Sequence, residues 1–109
     1  MDELTNKTYV FDLDNTLCIT LENDKGDTLY EECKPITTRI NKVNELYQNG
    51  NTIIIDSARG STSGKDYYKL TKNQLEDWGL KFHILRTGNK FSSDYYIDDK
   101  AINSDDYFN

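Results

Sequence analysis

The stretch TIIIDSARGSTSGKD, residues 52–66, decides how this chain folds. Thr52 and Ile53, Ile54 and Ile55 form a β-branched run of the kind that fills a buried strand, and the Gly- and Ser-rich segment after Ser57 ends it. The Gly64-Lys65 pair gives that segment the look of a nucleotide phosphate loop. Such a loop has four residues between its first glycine and its Gly-Lys, then a hydroxyl residue; here Gly60 and Gly64 enclose three and Asp66 follows Lys65. The stretch therefore reads as a strand delivering Ser57 at its end, followed by a flexible rim that carries Arg59 and Lys65.

On either side of it, apolar spacing changes from period two to helical. TYVFDL, residues 8–13, is a second buried strand that stops in acids. Pro35 suits the first turn of a helix whose stripe is Ile36, Ile40, Val43 and Tyr47 and whose stop is Gly50. Tyr68, Thr71, Leu75 and Trp78 stripe a second helix ending at Gly79. KFHIL (81–85) and YYIDD (95–99) read as third and fourth strands, and AINSDDYFN as a short helix and tail. LENDKGDTLYEEC (21–33) has a Lys-Gly turn between two short segments and predicts a hairpin or flap. Strands alternating with helices imply βαβ crossovers and a mainly parallel α/β sheet whose ligands gather at the carboxyl ends of the strands.

The chain has 109 residues, 13 Lys and Arg against 19 Asp and Glu, and a formal charge of -6. That length supports one domain, residues 1–109, with a small flap near 17–34. The scattered basic residues and acidic balance argue against nucleic acid as a partner. No apolar run approaches the roughly 20 residues of a membrane span, and the acidic start MDELTNKTYVFDLD is unlike a secretory signal. The expectation is a cytoplasmic protein with no membrane partner, in which Cys18 and Cys33 are reduced thiols.

Three strand ends place polar side chains at one edge: Asp12 and Asp14, then Ser57, then Asp98 and Asp99. Four carboxylates that converge repel one another and call for a cation. Oxygen ligands without His or Cys suit Mg²⁺, which also accepts phosphate oxygens.

Those residues carry a family resemblance. VFDLDNTL, residues 10–17, resembles the first motif of the haloacid dehalogenase-like phosphohydrolases, an apolar strand followed by Asp-x-Asp-x-Thr. Ser57 after the second strand, Lys90 before the last and Asp98-Asp99 after it match the remaining motifs in order, so the likeness spans residues 8–100. FDLDNTLC, IIIDSARGST, LTKNQLEDWG and YYIDDKAIN together are similar to small capless members associated with bacterial capsule and surface-polysaccharide synthesis. The resemblance implies a minimal three-layer, Rossmann-like fold without a cap domain. It also implies a Mg²⁺-dependent phosphomonoester hydrolase working through an aspartyl-phosphate on a small phosphorylated substrate, such as a sugar phosphate or polysaccharide precursor.

In that scheme Asp12 is the nucleophile. Asp14, two residues on and so on the same side of the strand, is the acid and base, and also lends a backbone carbonyl to the metal. Asp12, Asp14, Asp98 and Asp99 form the metal set, Ser57 and Lys90 hold the phosphoryl group, and Thr16 braces the loop. Arg59 is either a loop residue or a clamp on an anionic substrate. With about 18 residues between Thr16 and Pro35 there is no room for a cap, so the site stays open or is closed by a neighbouring subunit in a homo-oligomer. Alternatives are a nucleic-acid end phosphatase and a catalytically weak protein that binds a phosphorylated ligand.

Other signals carry less. CKPITTR, residues 33–39, has the spacing of a cysteine phosphatase loop but no glycines, and Pro35 removes a donor. A single histidine, His83, rules out a site built on several, and it reads as packed at the third strand. Tyr67, Tyr68, Trp78, Tyr95 and Tyr96 read mostly as core. Asp56, just before Ser57, stands where members of the resembled family tend to carry a bulky or apolar residue, and either faces away or adds an acid to the pocket.

Overall fold

A computed structural model describes residues 6–90, 94–95 and 97–109. In chain order the elements are β1 (Thr8–Phe11), β2 (Cys18–Ile19), a 3₁₀ turn (Tyr30–Glu32), β3 (Lys34–Pro35), α1 (Thr37–Gln48), β4 (Thr52–Ser57), α2 (Tyr68–Asp77), β5 (Ile84–Thr87) and α3 (Ser104–Phe108). The central sheet has the order β1-β4-β5 and is parallel throughout, with Phe11 opposite Ile55 and Ile55 opposite Leu85. Two consecutive βαβ units make the chain a small α/β, Rossmann-like protein, as the strand and helix alternation predicts.

Burial follows the pleat. Ile53, Ile55 and Ser57 are buried along β4, and Leu85 continues the row that Phe11 and Ile55 begin. They meet Ile40, Val43 and Leu46 of α1 and Leu75 of α2 in one core. A fully buried aliphatic side chain contributes about 1.5–3 kcal/mol, so this row dominates the fold's stability. Tyr107 and Phe108 of α3 lay their rings against Tyr9 and Phe11, with centroids 5.9–6.4 Å apart, and tie the C-terminal segment to β1.

Three expectations shift. Pro35 belongs to the short antiparallel pair β2–β3, opposite Cys18, and α1 starts at Thr37 with Ile36 as its cap. The third strand is displaced along the chain to Ile84–Thr87; His83, just before it and exposed, donates its N–H to the Ile53 carbonyl at 2.8 Å, accepts the Ile53 N–H on Nδ1 at 3.0 Å and stacks its ring on Tyr47. The fourth strand is not formed at Tyr95 or Ile97–Asp99, while Tyr96 lies outside the described residues. Ile97 is 98% exposed, and Asp98 accepts the Lys100 N–H at 2.8 Å in a local turn that competes with a ladder. The flap does form: Glu22 bridges Thr28, and Gly26 at φ +80° turns the chain between them.

Candidate active site

Asp12 follows the last residue of β1, at the carboxyl end of the sheet. Leu13 and Leu17 on either side of the turn are fully buried and pin it down. Asn15 takes a left-handed conformation, φ 60°, which Asn tolerates better than most residues. Its side-chain oxygen accepts the Thr20 N–H at 3.0 Å. The result is an anchored loop that leaves the Asp12 carboxylate half exposed.

Two groups hold that carboxylate. Lys90 Nζ lies 3.2 Å from Oδ1, and Thr16 donates its hydroxyl to Oδ2, also at 3.2 Å. The Lys90 N–H donates to Ser61 Oγ at 3.1 Å, linking the lysine to the glycine-rich rim. Lys90 is thus brought to Asp12 across 78 residues of sequence, and Thr16, expected to brace the loop, donates to the Asp12 carboxylate itself and lines the cleft.

Asp12, Thr16, Lys90, Asp56 and Asp98 line one cleft of about 1150 Å³. Asp56 lies on β4 one residue past Ile55, the last residue paired with β1 (opposite Phe11), and lines the same cleft. Among the described residues Asp56 Oδ1 is buried without a hydrogen-bond partner, although Arg86, its neighbour on β5, brings Nε to 3.6 Å. The question left by the sequence is answered in favour of a further acid in the cleft. Asp98 is held below the ordinary carboxylate range by the Lys100 N–H and then by a hydrogen bond with Asp99.

Asp14 is placed differently from expectation. β1 ends at Phe11, so the strand alternation that would align Asp14 with Asp12 does not extend to it. Asp14 accepts from Arg59 Nη2 at 2.8 Å and Nε at 3.0 Å, and from Thr20 Oγ1 at 2.6 Å. Arg59 is fully buried. Thr71, Gln74 and Cys33 take its remaining donors, and Tyr30 covers its face at 4.8 Å. Burial alone would lower its pKa; the hydrogen bonds and charge of Asp14, then Cys33, outweigh that and raise it. The alternative of Arg59 as a substrate clamp is therefore overturned: it is a buried structural cation. The signal for this was polar residues on a buried helix face, since Thr71 and Gln74 stand three apart on α2.

Ser57 is also fully buried, its Oγ accepting the Arg59 N–H at 3.1 Å, and it lines neither the Asp12 cleft nor the smaller one between flap and rim. Asp99 does not line the Asp12 cleft either. Among the described residues no three of Asp12, Asp14, Asp98 and Asp99 come together at ligand spacing, so the expected four-carboxylate cluster is replaced by Asp12, Asp56 and Asp98 around one cleft. Carboxylate oxygens are the donor type that Mg²⁺ takes. The close-spaced group is instead Asp14, Cys18 and Cys33, within 4.8 Å of one another, where the Arg59 guanidinium already supplies the positive charge. Burial pushes the Cys18 thiol up to about 12, against a lowering by its hydrogen bond with Thr20 and with a further rise from the charge of Asp14.

No protein-family model and no curated protein matches the chain. A solved structure, a structural-genomics target from Vibrio cholerae, superposes with a TM-score of 0.77 at 21% identity, covering 94% of this chain and 87% of that one. At that identity the likeness establishes the class of fold, an α/β protein with a parallel sheet.

Proposed function

We propose that this chain is a Mg²⁺-dependent phosphomonoester hydrolase of the haloacid dehalogenase-like kind, with Asp12 as its nucleophile. The observation that carries this reading is the pairing of a half-exposed Asp12, at the carboxyl end of β1, with Lys90 at 3.2 Å and Asp98 across the same cleft. Parallel α/β sheets place reactive groups at this end.

Asp12 attacks phosphorus and releases the alkoxide, forming an acyl phosphate that water then cleaves. Thr16 fixes the carboxylate so that one oxygen faces the incoming phosphoryl group, and Lys90 offsets negative charge on both. Asp12 and Asp98, with Asp56 beside them, would hold Mg²⁺, which when bound offsets the charge on the phosphoryl oxygens. Asp14 can reach a leaving alkoxide only if its carboxylate leaves Arg59 and Thr20, which hold it in place. Ser57 reaches a phosphoryl oxygen only if the rim after it moves.

The open cleft and the acidic surface favour a small phosphorylated metabolite, such as a sugar phosphate or polysaccharide precursor, over a nucleic-acid end. No helix among the described residues is long and apolar enough to cross a membrane, and the two buried free thiols agree with a cytoplasmic setting. Closure of the cleft by a second copy would limit water access.

A second reading has its own support: with Asp14 locked and Ser57 buried, the same cleft suits a protein that binds a phosphorylated ligand and turns it over poorly. Hydrolysis of a chromogenic phosphomonoester with Mg²⁺ separates the two. The enzyme reading expects turnover that Asp12→Asn abolishes and Lys90→Ala lowers by about 10²–10³. Saturable phosphate binding without turnover supports the second reading, and equal rates for wild type and Asp12→Asn contradict the first.

A further inference from the structure

The cysteines flank the flap. Cys18 opens β2 at its start and Cys33 precedes β3 at its end, and both are buried free thiols. Their sulfur atoms lie within 4.8 Å of each other. A disulfide needs about 2 Å, a difference that side-chain rotation can cover if the backbone spacing fits. Their surroundings differ in kind. Cys33 Sγ receives a hydrogen bond from Arg59 Nη2 at 3.2 Å and retains 9% exposure. Cys18 is fully buried and points its thiol at acceptors, the Leu13 carbonyl at 3.6 Å and Asp14 Oδ1 at 3.7 Å. One sulfur therefore sits against a cation and keeps some exposure while the other is enclosed beside it, the asymmetry a stepwise oxidation needs.

We propose that Cys18 and Cys33 are a reversible oxidation site for small hydroperoxides, closing to a disulfide that staples the base of the flap. The Cys33 sulfur attacks one oxygen of hydrogen peroxide; the O–O bond breaks, leaving the sulfenic acid, and the hydroxide released takes the Cys33 thiol proton to become water. The Cys18 sulfur then attacks the Cys33 sulfur, the S–O bond breaks, and the departing hydroxide takes the Cys18 thiol proton to leave as a second water. Peroxide is reduced by two electrons and the two thiols are oxidised by two. A thiol reductant reverses the change by exchange. The bond closes the segment 19–32 into a loop and removes Cys33 as an acceptor for Arg59. The site stands whether or not the Asp12 cleft hydrolyses phosphoesters.

The full chain is exposed to hydrogen peroxide, denatured with an alkylating reagent and weighed intact. The proposal expects a monomer lighter by two hydrogens with no alkylated cysteine, restored by dithiothreitol. It also expects a melting temperature about 10 °C above that of the reduced protein, from the constraint on the open loop. In Cys18→Ser, dimedone should trap a sulfenic acid at Cys33; in Cys33→Ser it should trap none at Cys18. Two alkylated thiols persisting in the oxidised wild type, a disulfide between chains, or oxidation to the sulfinic acid without a disulfide would each overturn it. The wild-type measurement decides the matter even if a variant fails to fold.

Discussion

Arg59 shows how much one residue can organise. A guanidinium with no solvent contact is tolerable only because Asp14, Thr71, Gln74 and Cys33 take up its donors and Tyr30 covers its face. Removing it leaves Asp14 without its counter-charge, so Arg59→Met should lower unfolding free energy by about 3–5 kcal/mol in urea titrations. Adding Asp14→Asn should recover part of that loss; a double mutant as unstable as the sum of the two would show the pair to be uncoupled. Cys18 gives a pH signature. Its folded pKa is raised, so the folded state retains a proton that the unfolded state loses, and stability falls as pH climbs from about 9 towards about 12. Wild type should therefore lose more stability over that range than Cys18→Ala, read as the difference in urea midpoints, which cancels the tyrosine and lysine contributions the two proteins share.

At the scale of elements, the glycine-rich rim is shaped by Gly60 rather than by phosphate binding. Gly60 sits at φ +84°, and a Cβ there would run into the Lys65 carbonyl. Gly60→Ala should cost about 1–3 kcal/mol and loosen the rim that presents Ser61 to the Lys90 backbone. β1, β4, α2 and most of α1 were legible in the sequence, because their apolar spacing matches the face they bury. Ile53 and Ile55 go inward by the same alternation that identifies the strand. The start of α1 was misread at Pro35 because proline suits a helix's first turn and the end of a two-residue ladder equally well. The fourth strand was misread because Tyr95 and Ile97 are strand formers by composition while Asp98 satisfies a local turn instead. Local hydrogen bonding overrode propensity there.

For the molecule as a whole, the meeting of Asp12 with Lys90 was legible from motif order, and the division of the acids was not. Reading Asp14 beside Asp12 assumed that β1 runs on past Phe11. It ends there, and the partner that then claims Asp14 is a buried arginine read as a loop residue or a clamp. Asp56 could be noticed in the sequence but not assigned, because its position depends on the register between β1 and β4. The cleft these residues form makes the metal testable without turnover. Mg²⁺ should raise the melting temperature saturably in the wild type, as a ligand that binds the folded state does, and less so in Asp12→Asn and Asp98→Asn. A shift of equal size in both variants would place the ion elsewhere.

The claim that Asp12 is a nucleophile is tested most directly by looking for what it forms. The protein, mixed with Mg²⁺ and a phosphomonoester and quenched in acid within one turnover, is digested and its peptides weighed. The account predicts the mass of one phosphoryl group on the peptide that contains Asp12, absent from Asp12→Asn and lost on brief alkaline treatment, as an acyl phosphate would be. Turnover with no phosphoryl group at Asp12 under any quench time, or the group on a different residue, would contradict it.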